Sequence, residues 1–457
     1  MSSPIPRAKR KNNAKFLNGS IMSHIIRMTL TSAFGLVAVF SVDFIDLFFL
    51  SQLEDKDIQA ALGFTGTLLF ATISFGIGLS IASSAVVSKA AGAKDVEKSH
   101  RLTVNSLIYA AAAAAITGLI LFLLIEPLLI LLGAEGHVLD LSVEYLQILV
   151  PTMPLFALSI SSAACLRSHS DAVQAMYVTV AGGLVNAAFD PLLIFWFEMG
   201  MNGAALSTAI ARVAMMVIGF YGIFHIHKIR YRPNIKALKE DFKPYITIAI
   251  PGVLTNLATP VGNGYVTYAI ASYGNPAVAA WGIIARIVPL AFCAIFALSG
   301  AVGPIIGQNL GGRKFDRVRQ TLTDALKFNT IYTLIIWAIL ALAATSITSI
   351  MQVKEETGEL VIFFCRWLTP GFGMIGFLFV ANAAFNNLGR AHYSSWLNWS
   401  RATIGTIPFV HAGAYIAGVK GLLAGQIIGG ALIGLFSVWL SQRAIKTVTI
   451  EYSDAQK

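Results

Sequence analysis

The sequence predicts an all-α integral membrane protein with twelve transmembrane helices in two parallel six-helix pseudo-repeats. Three observations carry that prediction. Of 457 residues, 56% are hydrophobic and only 12% charged, about half the charge of an ordinary soluble chain. Apolar runs long enough to cross about 30 Å of hydrocarbon recur roughly every 35–40 residues. Short motifs of the first half return in the second at a nearly constant offset. The same composition excludes disorder, collagen, a coiled coil and a disulfide-stapled secreted domain. The alternating ten-residue strands of an outer-membrane barrel are absent.

In chain order, the first run, Ile25–Leu50, follows a tail bearing Arg7, Lys9, Arg10, Lys11 and Lys15. It is too long for a signal-peptide core, and nothing like an A-x-A cleavage site follows, so it is expected to stay as helix 1. An acidic loop (Glu54, Asp55, Asp57) leads to Ala60–Ser88, and a basic one (Lys89, Lys94, Lys98, Arg101) to Val104–Leu132. Glu135, Asp140 and Glu144 introduce Leu141–Leu166, followed by Val173–Phe197 and Gly203–Ile226. The stretch holding Lys228, Arg230, Arg232, Lys236, Lys239 and Lys243 precedes Tyr245–Ala271 and Ala277–Gln308. Arg313, Lys314, Arg317 and Arg319 then lead to Ala325–Ile350, and Glu355, Glu356 and Glu359 mark the start of Gly358–Asn386. Ser394–Ala417 and Gly421–Ala444 complete the twelve, and Arg443, Lys446 and Lys457 make the end basic again.

Lys/Arg excess marks the cytoplasmic side. The alternation closes only with an even number of spans and both termini inside. The net charge of +10 is therefore read as membrane orientation, with no nucleic acid as partner. The expected organisation is a tail at 1–24, lobes at 25–228 and 245–445, a linker at 229–244 and a second tail at 446–457, in a monomer of the bacterial inner membrane.

Ala60-Ala61-x-Gly63 answers Ala279-Ala280-x-Gly282, and 279 minus 60 is 219. Gly92-x-Lys94 and Gly311-x-Arg313, Pro151 and Pro370, and Ala172 and Ala391 share that offset, while Gly200-x-x-Gly203 and Gly418-x-x-Gly421 differ by 218. An even number of spans per repeat makes the repeats parallel. Parallel six-helix repeats typify transporters, with the substrate path between the halves.

Acids deep within spans are few: Asp43 and Asp46 in helix 1, three apart on one face, and Asp190 in helix 5, four after Asn186. Such a charge costs at least about 2.5–3.5 kcal/mol at the bilayer centre, so it persists where it has a partner or a job. Asp190 also has a bland reading, as the cap of a helix ending at Pro191. The second half offers Asn256, Asn263 and Tyr265 instead, which places the ion chemistry in the first half. Gly76 and Ala297, small residues on helices 2 and 8, join those three as the candidate substrate path. Cys165, Cys293 and Cys365 are too scattered for a disulfide framework or a zinc site. No Walker pattern is present, so ATP-driven transport is excluded. Neither a nucleophile nor a metal-ligand pair accompanies the aspartates, so no enzyme and no cofactor are expected.

Several motifs resemble those of the multidrug and toxic compound extrusion (MATE) transporters of the MOP superfamily. Phe44-Ile45-Asp46-Leu47-Phe48-Phe49-Leu50 resembles their helix 1 signature. Asn186-Ala187-Ala188-Phe189-Asp190-Pro191 is similar to their helix 5 pattern. Gly200-Met201-Asn202-Gly203-Ala204-Ala205-Leu206 resembles the turn that follows, and Gly307-Gln308-Asn309-Leu310-Gly311-Gly312 their loop after helix 8. The acid-poor second half is more like the DinF-type branch than the NorM-type.

The resemblance implies a V-shaped exporter exchanging drugs, dyes or other organic cations for protons, or alternatively sodium ions. It carries an ion site onto Asp46, Asn186, Asp190 and Thr208, with Asp43 nearby. Many relatives have a proline in helix 1, whereas the stretch Met28–Ile45 has none. A lipid-linked precursor flippase of the same superfamily is the rival reading, and an integral-membrane enzyme a more distant one.

Overall fold

A computed structural model describes the backbone of residues 14–51, 56–351, 353 and 355–454, and their side chains apart from 41–48, 50, 51, 56 and 355. Every regular element among the described residues is helical. The spans are α1 (Ile21–Ser51), α2 (Lys56–Gly92), α3 (Val96–Leu123), α4 (Gly136–Ser168), α5 (Ala172–Trp196), α6 (Gly200–Ile226) and α7 (Ile235–Ala271). They continue with α8 in two pieces (Asn275–Ala291 and Cys293–Gly311), α9 (Phe315–Ile350) and α10 (Glu356–Asn387). The last stretch, Ala391–Asp454, is broken at Ala417 and Gly418 into α11 and α12.

Local chemistry sets the ends. Asp95, Asp171 and Asn234 accept hydrogen bonds from the backbone N–H groups of Lys98, Gln174 and Ala237, capping α3, α5 and α7. Pro151 interrupts α4 with a tight turn at Val150–Thr152. Pro289 removes a donor before the break of α8 at Phe292. The twelve expected runs are present with shifted limits. The stretch 229–244, expected as a linker, is helical from Ile235 onward because its cap is followed by a face that docks on α3. There Asp241 accepts from Arg101 at 2.9 Å and from Asn105 at 2.8 Å, while the Tyr109 hydroxyl donates to the Leu238 carbonyl.

Without a hydrophobic driving force between helices in lipid, close packing of small residues holds spans together. A Cβ at Gly421, Gly425 or Gly429 of α12 would lie 2.0 Å or less from the carbonyl oxygens of Gly413, Phe409 and Gly405. This glycine ladder joins α11 to α12.

Two lobes result, α1–α6 and α7–α12, and the first helix of each crosses into the other near the basic loops. Ile21, Ile25 and Met28 of α1 share a core with Ile305, Leu322 and Leu378 of the second lobe. Tyr245 and Ala249 of α7 belong to the first lobe's core, and the Tyr245 hydroxyl donates to the Leu79 carbonyl at 3.1 Å. α2 and α8 meet there too: a Cβ at Gly92 would lie 2.0 Å from the Gln308 carbonyl oxygen, and one at Gly311 1.9 Å from that of Lys89. Gln308 then acts as a latch. Its amide donates to the Ser168 carbonyl at 2.8 Å and to Ser170 Oγ at 3.0 Å, and its Oε1 accepts from Phe16 N at 3.1 Å.

These contacts use α2 only from Gly78 to Gly92. Towards its other end, Gly63, Thr67 and Ala71 lie on or beside the face of Gly78 yet are exposed. The lobes therefore part towards the acidic loops and leave a V-shaped cleft.

Candidate functional site

Asp190 sits in the last turn of α5 before Pro191, and the helix continues beyond it as a wide π-turn, Leu192–Trp196. It therefore does not cap a helix end. The residue is fully buried, and neither carboxylate oxygen has a hydrogen-bond partner among the described residues. An unpaired carboxylate in that position costs several kcal/mol unless a cation or a proton neutralises it. One turn earlier, Asn186 is also buried and accepts from Ser207 of α6, at 3.0 Å to Oδ1 and 3.3 Å to its carbonyl. Thr208 is half-buried beside Ser207. α6 approaches this closely because of Gly203, whose Cβ would lie 2.7 Å from the Leu193 backbone.

Asp43 and Asp46 lie on α1, and their side chains are outside the described residues. The helix itself is bracketed. Below them, Gly35 abuts Thr179 of α5, where a Cβ would come within 2.3 Å of Oγ1. Above them, the rings of Phe49 and Phe195 meet edge to face at 5.7 Å. Both helices are odd-numbered spans and run the same way. Position 46 is 11 residues beyond 35, and position 190 is 11 beyond 179. Eleven residues complete about three turns, so the two positions share a height along the α1–α5 seam.

The candidate substrate residues separate. Gly252 of α7 abuts Gly78 of α2. Asn256, Thr259 and Asn263 fall within about 40° of Gly252 at about 100° per residue, so they face the first lobe above the point where the lobes part. Tyr265 lies on the far side of α7, its hydroxyl 2.5 Å from His411 Nε2. Gly76 looks into the first lobe, where a Cβ would meet Ile160 and Phe156 of α4 at 2.9–3.0 Å. Ala297 is buried in a small cluster with Ala33, Cys293 and Ala294, against α1.

Intramembrane arginines complete the site. Arg212 donates to Thr152 Oγ1 at 2.7 Å and to the Leu149 carbonyl at 3.1 Å, using the turn that Pro151 opens. Arg401 donates to Thr259 Oγ1 at 3.0 Å, and its Nε is buried without a partner among the described residues. Arg286 is exposed on α8. Sequence reasoning missed Ser207, hidden beside the more conspicuous Thr208, and missed Gln308, whose stretch reads as a loop and is helical through Gly311. At the basic end, outside the spans, burial beside His227 and His100 pushes His169 down to about 3. Asp171 is held below the usual carboxylate range by its hydrogen bond with His227. Among the described residues no group of three or more His, Cys, Asp or Glu could hold a metal ion.

The MatE family pattern matches residues 32–192 and 251–410. The two matches repeat the internal offset, since 251 is 219 beyond 32 and 410 is 218 beyond 192. A protein of Shewanella oneidensis named FAD transporter is 26% identical over 97% of this chain and 99% of its own length. The multidrug export protein MepA of Staphylococcus haemolyticus is 20% identical over 95% of this chain and 96% of its own. The crystal structure of a Vibrio cholerae MATE transporter, VcmN, superposes with a TM-score of 0.89 at 25% identity, covering 96% of this chain and 100% of that one.

Proposed function

This chain belongs to the MatE family of multi-pass transporters, and from that premise we propose that it is a secondary-active exporter of amphipathic organic compounds, energised by a cation bound at the α1–α5 seam. The basic end is cytoplasmic in this reading, in the bacterial inner membrane, and the cleft opens outward. One observation carries the proposal: the fully buried Asp190 carboxylate, with no partner among the described residues, beside Asn186 and level with position 46. Oxygen-rich surroundings suit a proton or sodium, a hard cation that favours oxygen ligands much as calcium does. Protons are the preferred reading, because the acids of the second lobe's spans, such as Asp241, Asp324 and Glu359, all lie within about three turns of a helix end and leave no acid at the depth of Asp190 for a separate ion.

Loading a proton neutralises the site and removes its need for water, so α1 and α5 can close on it and narrow the cleft. Each proton entering brings about 2.3 kcal/mol per 100 mV and about 1.4 kcal/mol per pH unit. The molecules moved are drugs, in keeping with the name of the relative called multidrug export protein MepA. The relative named FAD transporter matches over nearly its full length and supports a second reading, in which a flavin dinucleotide is the cargo.

The test is Asp190→Asn in proteoliposomes with imposed pH or sodium gradients. Gradient-driven efflux of ethidium should fall at least tenfold, with insertion and thermal stability preserved. Efflux that survives with unchanged dependence on both ions removes Asp190 from the mechanism.

A further inference from the structure

The cleft walls differ in charge. Gly63 and Thr67 line the exposed face of α2 above its crossing with the second lobe, and Gly282 and Arg286 occupy the same places on α8, since 282 and 286 lie 219 beyond 63 and 67. A Cβ at Gly63 or Gly282 would meet nothing within 4 Å. Arg286 thus stands on the second lobe's cleft wall where the first lobe has a threonine. Arg401 reaches the same wall from α11. Its bond to Thr259 brings the guanidinium to the α7 face that Gly252 turns towards α2. Among the described residues neither arginine forms an ion pair; the pairs of Arg101, Arg390, Lys420 and His227 all involve residues at the helix ends. A cation kept within a span without a counter-charge is costly, and is by default a candidate for a substrate or ion path. Guanidinium is also the side chain best matched to a planar or tetrahedral oxyanion.

We propose that the cleft accepts amphipathic molecules bearing an oxyanion group such as a phosphate, which Arg286 and Arg401 hold against the second lobe while the coupling cation stays on the first. This rests on the exporter reading and adds one class of substrate to it. The arrangement keeps cargo anion and coupling cation on opposite walls, so loading one does not neutralise the other directly.

The probes are riboflavin and FMN, which share a ring system and differ by one phosphate. Equilibrium binding to the purified full chain is read by flavin fluorescence with no gradient present. The wild-type protein should bind FMN at least tenfold more tightly than riboflavin. Arg286→Gln and Arg401→Gln should each cut FMN affinity about tenfold and leave riboflavin unchanged, and Arg401→Lys should recover part of the loss. Equal affinity for the two probes, no binding of FMN, or glutamine variants that weaken both probes alike would overturn the proposal. Ethidium efflux under a gradient tests the exporter reading separately, so the two fail independently.

Discussion

Replacing Gly92 with alanine should loosen the basic end of the molecule. The added Cβ would lie 2.0 Å from the Gln308 carbonyl oxygen and 2.5 Å from its carbon. Ordinary contact needs more than 3 Å, so α2 and α8 must separate by about 1 Å, and backbone cannot swing aside as a flexible side chain would. Overpacking of this kind costs about 1–3 kcal/mol. The whole cost falls on the conformation in which the lobes touch here, so about 2 kcal/mol would shift its population roughly 30-fold. Gly311→Ala, the pseudo-symmetric change, presses on the Lys89 carbonyl at 1.9 Å and should do the same. The reporter is Ser88→Cys, at a buried position whose hydroxyl lies 3.3 Å from Asn387 Oδ1 across the lobes. The native cysteines are buried and would be replaced. In inverted vesicles a membrane-impermeant thiol reagent should label position 88 at least tenfold faster in either alanine variant. Unchanged labelling in both, in protein that still melts cooperatively, would show that this crossing does not hold the lobes together.

Three further outcomes follow from the same geometry. Ser207→Ala removes the hydroxyl that fixes Asn186 and should cost about 1 kcal/mol of stability while raising the ion concentration needed for half-maximal efflux several-fold; an unchanged ion dependence refutes its role. His169 binds fewer protons folded than unfolded, so its contribution is complete above about pH 6.5 and is lost as pH falls from there towards 3, at up to about 1.4 kcal/mol per unit. The Tm of the wild type should drop between pH 7 and 5, and His169→Gln should flatten that drop; Asp171, also held below its ordinary value, adds loss only below about pH 4. A reporter fused after Lys457 should be active only in the cytoplasm, and periplasmic activity would reverse the orientation.

The spans, their number and the repeat were legible because each rests on a property that survives without neighbours: apolar length, loop charge and spacing. Asp190 and Asn186 were legible for a related reason, since a carboxylate inside lipid is conspicuous wherever it packs. What stayed hidden depends on pairs of helices. Gly92 and Gly311 stand out as repeat positions, but nothing in either segment says that Gly92 presses on Gln308 and Gly311 on Lys89. Gln308 sits in glycine-rich sequence that reads as a loop, and its role appears only when Phe16, Ser168 and Ser170 arrive from distant segments. Gly76 is a small residue on the right helix, yet Gly78 two positions on faces the other lobe. On a helix that difference is about 200°.

The crossing of α1 and α7 gives the repeat a mechanical consequence. Ile21, Ile25 and Met28 are anchored in the second lobe, while the same helix, from Gly35 to Phe49, lies against α5 in the first. In the proposed mechanism, a change in ion occupancy near position 46 and Asp190 therefore acts on a helix whose lower end belongs to the opposite lobe. α7 mirrors this, with Tyr245 in the first lobe and Val266 and Ile270 in the second, but its acids, Glu240 and Asp241, lie at its basic end and pair with Arg101. Under the proposed coupling, one ion site on one crossing helix would suffice to bias the whole closure, because the lobes cannot part at the basic end unless both crossing helices bend or withdraw. α1 contains no proline over Met28–Ile45, whereas α7 contains Pro244, Pro251 and Pro260. The bend is therefore easier in α7, and the proposed ion binding on the stiffer α1 would be transmitted along its length instead of being absorbed in a kink.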